Sequence, residues 1–213
     1  AFSLFLWYFI CVFTDFTVNL HFHMSGLEIM RSAEVICSYI MKGFDMTKNC
    51  PIILCGFTSS GKTTIGKLLS ERLGLPFYDT DQMLIEHYQM MIPEIFAKGG
   101  ETLFRDYEHE IARRVCTLGP SVVSTGGGML TFDRNGEILA KNGMIFYIDR
   151  PFEDCYANLA QHPERPLFKN HTKKEVQDMY LIRRDLYRKY AKFDIKNTGT
   201  AGEAAEKICD LLK

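Results

Sequence analysis

Apolar and polar residues follow two distinct patterns along most of the chain. Short, continuous apolar runs such as P-I-I-L-C at residues 51–55 are typical of buried strands. Between these runs, apolar residues recur at helical spacing, as Ile65, Leu68, Leu69 and Leu73 do. Strands are predicted near residues 52–56, 76–79, 121–125, 144–149 and 193–196. Helices are predicted near residues 62–73, 83–90, 101–118, 133–142, 152–161, 173–190 and 201–212.

This alternation of elements predicts a three-layer α/β/α fold. Parallel strands need a long crossover between them, and a helix is the usual crossover. We therefore expect a five-stranded parallel sheet with helices on both faces. The length of 213 residues and the hydrophobic content of 46% suit one such domain.

The first 45 residues follow neither the strand pattern nor the helix pattern. Residues 1–13 are almost wholly apolar, but a membrane-spanning helix needs about 20 residues. The stretch also lacks the basic opening of a secretory signal and the Arg and Ser content of a transit peptide. Residues 1–45 are therefore interpreted as a non-native or poorly ordered extension, with a weak membrane anchor as the alternative. The folded domain is predicted to span residues 46–213.

Charge and cysteine content exclude several classes of function. The 25 basic and 26 acidic side chains nearly cancel, which argues against a nucleic-acid partner or a firm membrane association. The seven cysteines are odd in number and no pair has CxxC spacing. A disulfide framework or a zinc site is therefore not expected, and reduced thiols in a cytoplasmic protein are the better interpretation.

The first segment with clear chemistry is G-F-T-S-S-G-K-T at residues 56–63, which fits the phosphate-loop pattern G-x-x-x-x-G-K-[ST]. It lies between a predicted strand and a predicted helix, so its N–H groups can form a nest for phosphate. Lys62 is expected to reach the β- and γ-phosphates of ATP, and the Thr63 hydroxyl to bind Mg²⁺. The residues predicted to bind ATP are Gly56, Ser59, Ser60, Gly61, Lys62, Thr63 and Thr64.

Two further segments lie at the ends of predicted strands. Asp79 and Asp81 follow the second strand, and alternation in an extended chain would put both carboxylates on one side. One carboxylate can bind the metal and the other can bind an acceptor hydroxyl. A solvated acidic turn is an equal alternative. Three glycines, Gly126, Gly127 and Gly128, follow the third strand, and this suggests backbone pressed against a ligand rather than a flexible turn.

With these motifs in hand, the chain resembles the shikimate kinase family, within the nucleoside-monophosphate-kinase-like group of phosphate-loop proteins. The resemblance runs from about residue 46 to the end of the chain and rests on six short motifs in the family's order. They are the phosphate loop, D-T-D at 79–81, E-x-x-F-R at 101–105, G-G-G at 126–128, R-P-L at 165–167 and R-x-x-L-Y at 183–187.

The resemblance implies a fold, a reaction and individual roles. The fold would be the phosphate-loop kinase fold with a mobile lid loop, and the reaction would move the γ-phosphoryl group of ATP to the 3-hydroxyl of shikimate, with Mg²⁺. Asp81 would bind the acceptor and could serve as base, and Asp79 would act through Mg²⁺ and its waters. Arg105 and Arg183 would hold the substrate carboxylate beside the three glycines. Arg165 would lie on the lid and close over the phosphates, and a monomer is expected.

Several alternatives stay open at this point. The family usually has glycine where this chain has Ser59, and a serine can fit there if its backbone angles are ordinary. Arg184 adjoins Arg183, so the assignment of the substrate arginine could shift by one position. Arg105 could equally be a surface residue in ion pairs. The rival functions are another small-molecule kinase, acting on gluconate or a nucleoside monophosphate, and a non-catalytic nucleotide-binding module.

Overall fold

Five parallel strands form one sheet in the order β2-β3-β1-β4-β5. The computed structural model describes residues 50–161 and 171–212. The strands are β1 (Ile52–Cys55), β2 (Phe77–Asp79), β3 (Val122–Ser124), β4 (Met144–Asp149) and β5 (Phe193–Lys196). All five lie where the apolar runs predicted them, so the predicted parallel sheet is confirmed.

Seven helices and one short 3₁₀ turn connect and flank these strands within the described ranges. The helices are α1 (Lys62–Leu73), α2 (Thr80–Tyr88), α3 (Ile92–Val115), α4 (Asp133–Asn142), α5 (Phe152–Ala160), α6 (Lys173–Tyr190) and α7 (Ala201–Leu211). The 3₁₀ turn, Met129–Thr131, directly follows the three glycines. Every predicted helix is present.

The sheet separates two apolar cores, which gives the three predicted layers. Side chains alternate across a strand, so Ile53 and Cys55 of β1 enter one core while Ile52 and Leu54 enter the other. The second core is closed by α1 and α7, and the first by α3, α4, α5 and α6. Both faces of the central strands are thereby buried, which explains why they read as continuous apolar runs.

The boundaries of two helices differ from the prediction. Helix α2 begins at Thr80 rather than near residue 83, because Asp79 caps its N-terminus. Helix α3 begins at Ile92, whereas the prediction started near residue 101. The glycine pair at 99–100 lies inside this helix and forms a kink, at which Gly100 adopts φ 64° and ψ −160°. The preceding turns form because Glu94 accepts the Met91 N–H at 2.7 Å.

The topology opens a crevice at the carboxyl ends of β1 and β3. Helix α1 leaves β1 toward one face of the sheet, and α4 follows β3 on the other face. Ligands of open parallel sheets bind where the connections diverge in this way. The phosphate loop, the acidic pair and the three glycines all follow strands at this edge. No helix in the described ranges combines the length and hydropathy that a membrane crossing needs.

Candidate active site

The phosphate loop forms a tight turn between β1 and the N-terminus of α1. Gly61 caps the helix in the left-handed region, with φ 96°. At Gly56, which has φ 151°, a Cβ would lie 2.7 Å from the carbonyl oxygen of Ile148, so only glycine fits between the two strands. The free N–H groups at the start of α1 and the helix dipole then favour a negative ligand at this point.

Lys62 is buried beneath the phosphate loop. Its Nζ donates to the carbonyl oxygens of Gly56 at 2.9 Å and Phe57 at 2.8 Å. Burial lowers the pKa of the ammonium group, while the charges of Cys55, Asp81 and Asp79 oppose the shift. The lysine is thus held beside the loop as a cation whose desolvation would be relieved by an anionic phosphate.

Three oxygen-bearing side chains meet at the entrance to α1. The Thr63 hydroxyl donates to Asp79 Oδ2 at 3.2 Å and lies 3.3 Å from the Ser124 hydroxyl. Carboxylate and hydroxyl oxygens are the ligands that Mg²⁺ prefers, and Mg²⁺ bound with phosphates uses only one or two carboxylates. The residues present therefore fit this ion. Ser124 was missed from the sequence, although its place at the end of β3 was a usable signal.

The pair Asp79 and Asp81 is brought together by a helix cap and not by strand alternation. Asp79 ends β2, and its Oδ1 accepts the Asp81 N–H at 3.1 Å. Asp81 lies in the first turn of α2, so the argument from an extended chain was wrong. Burial, and then the nearby Asp79 charge, raise the pKa of Asp81, while Lys62 and Arg105 oppose the shift. A carboxylate of this kind accepts a proton more readily than an exposed one.

The three glycines, here called the glycine loop (Gly126–Gly128), lie against the predicted catalytic side chains. A Cβ at Gly126 would lie 2.5 Å from Asp81 Oδ1, and one at Gly128 would lie 2.5 Å from Arg105 Nη1. A Cβ at Gly127 would lie 3.2 Å from the Thr58 hydroxyl of the phosphate loop. The backbone of the glycine loop therefore lies close against these side chains. That it is pressed against a ligand stays a prediction.

Arg105 is both ion-paired and directed at the glycine loop. Its guanidinium donates to Glu101 at 3.1 Å and 2.9 Å and makes a short contact with Glu108. Its side chain is only 14% exposed and that of Glu108 only 2%, so the surface-residue alternative does not hold. Burial alone would lower the pKa of Arg105, but Glu108 and Glu101 raise it, and the guanidinium stays charged.

Arg183, and not Arg184, faces the glycine loop. Its Nη1 would lie 3.8 Å from a Cβ on Gly127, and its guanidinium lies 5.9 Å from the Phe57 ring of the phosphate loop. Arg184 instead pairs with Asp185 at 3.6 Å. These contacts favour Arg183 over Arg184 as the substrate arginine, and its contact with the substrate stays a prediction.

Ser59 adopts a left-handed conformation, with φ 64°. The condition of ordinary backbone angles, under which a serine can fit, is therefore not met. A Cβ in this region crowds the following carbonyl. Its neighbour Ser60 is fully buried, and the Ser60 carbonyl accepts from Asn197 Nδ2 at 2.8 Å. Asn197 thus ties the phosphate loop to the segment after β5. Thr64 is exposed in the first turn of α1.

Two predictions concern residues beyond those described. Arg165 and the lid that it was assigned to fall within 162–170, outside the described residues. The extension 1–45 also lies outside them. Within the described ranges, Cys55, Cys116, Cys155 and Cys209 carry free thiols, and Cys55 and Cys155 are buried.

The described side chains form one continuous arrangement with three chemical parts. A phosphate nest with its lysine lies at one end, two guanidinium groups lie at the other, and the carboxylate of Asp81 lies between them beside the glycine loop. Guanidinium groups bind carboxylates in a bidentate manner. The geometry suits transfer of a phosphoryl group to a small hydroxylated acid.

Comparison with known proteins gives a consistent result. A family model described as shikimate kinase matches residues 58–213. The chain is 38% identical over 161 residues to a shikimate kinase of Caldicellulosiruptor bescii, covering 75% of this chain and 94% of the relative. It is similar to the solved shikimate kinase of Acinetobacter baumannii in complex with shikimate, with a TM-score of 0.73 and 34% identity over 80% of this chain and 96% of that chain. The shikimate kinase of Aquifex aeolicus matches with a TM-score of 0.66 and 34% identity, over 76% of this chain and 95% of that chain.

Proposed function

The chain belongs to the shikimate kinase family, and from this premise we propose that it transfers the γ-phosphoryl group of ATP to the 3-hydroxyl of shikimate. This reaction is one step of chorismate and aromatic amino acid biosynthesis. The observation that carries the proposal is the placement of Asp81 between the glycine loop and the phosphate loop, with Arg105 and Arg183 beside it. That combination supplies an acceptor site for a compact cyclic acid as well as a nucleotide site.

The phosphate loop would hold ATP through its inward N–H groups and Lys62. Phosphoryl transfer needs positioning and charge neutralisation more than covalent help, so no phosphoenzyme is expected. Thr63 and Asp79 would hold magnesium, with the Ser124 hydroxyl beside them. When bound, the ion would neutralise charge on the phosphates.

Asp81 would receive the proton of the attacking hydroxyl. Its raised pKa supports this role, since a base works best when its pKa approaches the working pH. Arg105 and Arg183 would bind the substrate carboxylate and fix the ring against the glycine loop, where a side chain would collide with the acceptor. Arg165 would close over the phosphates and exclude water.

The proposal carries three further expectations. The partners are ATP and shikimate, and we expect a monomer located in the cytoplasm. Free thiols support a reducing compartment, since disulfides are rare there. The near balance of acidic and basic side chains supports the absence of a nucleic-acid partner.

The test is coupled ADP release by the full chain with Mg-ATP and a panel of acceptors comprising shikimate, gluconate and nucleoside monophosphates. Turnover should occur with shikimate and should be lost in Asp81→Asn. The matched control is Asp154→Asn, which neutralises a half-exposed carboxylate on α5 near Arg150 and should retain turnover. Turnover with another acceptor would keep the kinase and remove shikimate from the proposal. ATP binding with no turnover of any acceptor would favour a non-catalytic nucleotide-binding module.

A further inference from the structure

The backbone of the glycine loop is held in place by hydroxyl groups from outside it. The Gly126 N–H donates to the Thr80 hydroxyl at 2.9 Å, and the Thr131 hydroxyl donates to the Gly128 carbonyl at 2.7 Å. The middle residue, Gly127, has its carbonyl bound by the Tyr187 hydroxyl at 2.5 Å. Tyr187 is 60 residues away in sequence and lies on α6, so this bond links two separate elements.

Tyr187 is placed one helical turn after Arg183 on the same face of α6. Residues four apart on a helix are neighbours, so the phenol and the guanidinium approach the glycine loop together. Burial, the largest effect, raises the pKa of Tyr187, while the nearby charge of Arg183 lowers it. The phenol is therefore a neutral donor to the Gly127 carbonyl, and it lies beside the Arg183 guanidinium.

The ring and the hydroxyl of Tyr187 have different tasks. The ring is 1% exposed and packs at 5.4 Å from the Tyr147 ring, which is ordinary core packing. The hydroxyl reaches past this core to the loop, where Gly127 lies between Thr58 and Arg183. A phenylalanine would keep the packing but leave the loop carbonyl without this donor.

We infer that Tyr187 is a positioning residue, whose hydroxyl sets the distance between the glycine loop and Arg183 and thereby the affinity for the acceptor. The identity of that acceptor rests on the proposed function, whereas the effect on the loop does not. Removing one hydrogen bond of this kind changes an equilibrium by about fivefold. The loss should fall on acceptor binding, because Lys62 and the phosphate nest do not depend on this contact.

The test compares Tyr187→Phe with Tyr190→Phe in the full chain. Tyr190 lies on the same helix, but its hydroxyl donates to the side chain of Asp133 at 2.6 Å and not to the loop. In Tyr187→Phe we expect the KM for shikimate to rise about fivefold while the KM for ATP stays within about twofold. Tyr190→Phe should leave both constants unchanged.

A second measurement is independent of turnover. Hydrogen–deuterium exchange at the amides of Met129 and Thr131, which donate to Gly126 and Gly128, reports opening of the loop. Exchange should be about fivefold faster in Tyr187→Phe and unchanged in Tyr190→Phe. Unchanged exchange and unchanged KM for shikimate in Tyr187→Phe would overturn the inference, as would equal effects in both variants. If the parent chain did not phosphorylate shikimate, the proposed function would fail while the exchange data would still decide the role of Tyr187.

Discussion

Replacing Ser59 with glycine should stabilise the protein, because Ser59 holds a strained backbone angle in the phosphate loop. Its φ of 64° puts the Cβ against the following carbonyl, which costs about 1–2 kcal/mol for a residue other than glycine. Glycine removes that cost but increases the entropy of the unfolded chain by an amount worth about 0.4–1 kcal/mol. The difference leaves a net gain of about 0.8 kcal/mol, within a range of about 0 to 1.6 kcal/mol, in the free energy of unfolding. The central value corresponds to a rise in Tm of about 2–3 °C for a domain of this size.

The assay is denaturant and thermal unfolding of the parent chain, Ser59→Gly and Ser59→Ala. The alanine variant is the matched control, because it removes the hydroxyl but keeps the Cβ. If the Cβ causes the strain, only Ser59→Gly should gain stability. An equal gain in Ser59→Ala would assign the effect to the hydroxyl, and no gain in Ser59→Gly would refute the reasoning.

Four further predictions concern the acceptor side of the site and the extension. Asp81→Asn should abolish turnover. Near neutral pH the variant should also have a higher free energy of unfolding than the parent, because burial and the Asp79 charge disfavour the charged carboxylate. Denaturant titrations across pH measure this free energy. In the parent chain, kcat/KM for shikimate should fall with decreasing pH along a limb above the ordinary aspartate pKa of 3.8, which a pH–rate profile checks. Arg105→Lys should raise the KM for shikimate about tenfold to a hundredfold with the KM for ATP unchanged, because a bidentate charged contact is lost; steady-state kinetics measure both. A chain that begins at Met46 should keep the turnover of the full chain in the same assay.

The direction in which the Asp81 pKa is shifted determines how the stability changes with pH. A raised pKa means that Asp81 favours folding below 3.8 and that this contribution is lost as the pH rises through the folded-state pKa. The stability advantage of Asp81→Asn should therefore shrink as the solution is acidified. A stability advantage of Asp81→Asn that grows on acidification would contradict the raised pKa of Asp81. For Arg105→Lys, a fall in the KM for ATP alone would contradict the role of Arg105 in binding the substrate carboxylate.

The parts of the fold that could be predicted are those encoded by neighbouring residues. The run I-I-L-C at residues 52–55 and the spacing of Ile65, Leu69 and Leu73 fix β1 and α1 locally. The phosphate loop needs glycines at fixed positions, so its pattern identifies it directly. The part of α3 before Gly100 was missed, and whether a glycine pair ends a helix or only kinks it depends on tertiary packing.

The contacts that complete the candidate site could not be predicted in the same way. Tyr187 binds Gly127 across 60 residues, and Asn197 binds Ser60 across 137 residues. Such pairs depend on how the strands are ordered in the sheet, which no local pattern carries. The family resemblance gave roles to Arg105 and Arg183. Its motifs also contain Thr80 and Tyr187, but it gave no role to the hydroxyl groups that hold the glycine loop.

The most direct test of the central claim is phosphorus NMR of the full chain incubated with Mg-ATP and shikimate. The account predicts that the γ-phosphate signal of ATP disappears while one new phosphomonoester signal, coupled to the proton at carbon 3 of shikimate, grows in equal amount. Release of inorganic phosphate alone, or a phosphate on any other hydroxyl, would contradict it.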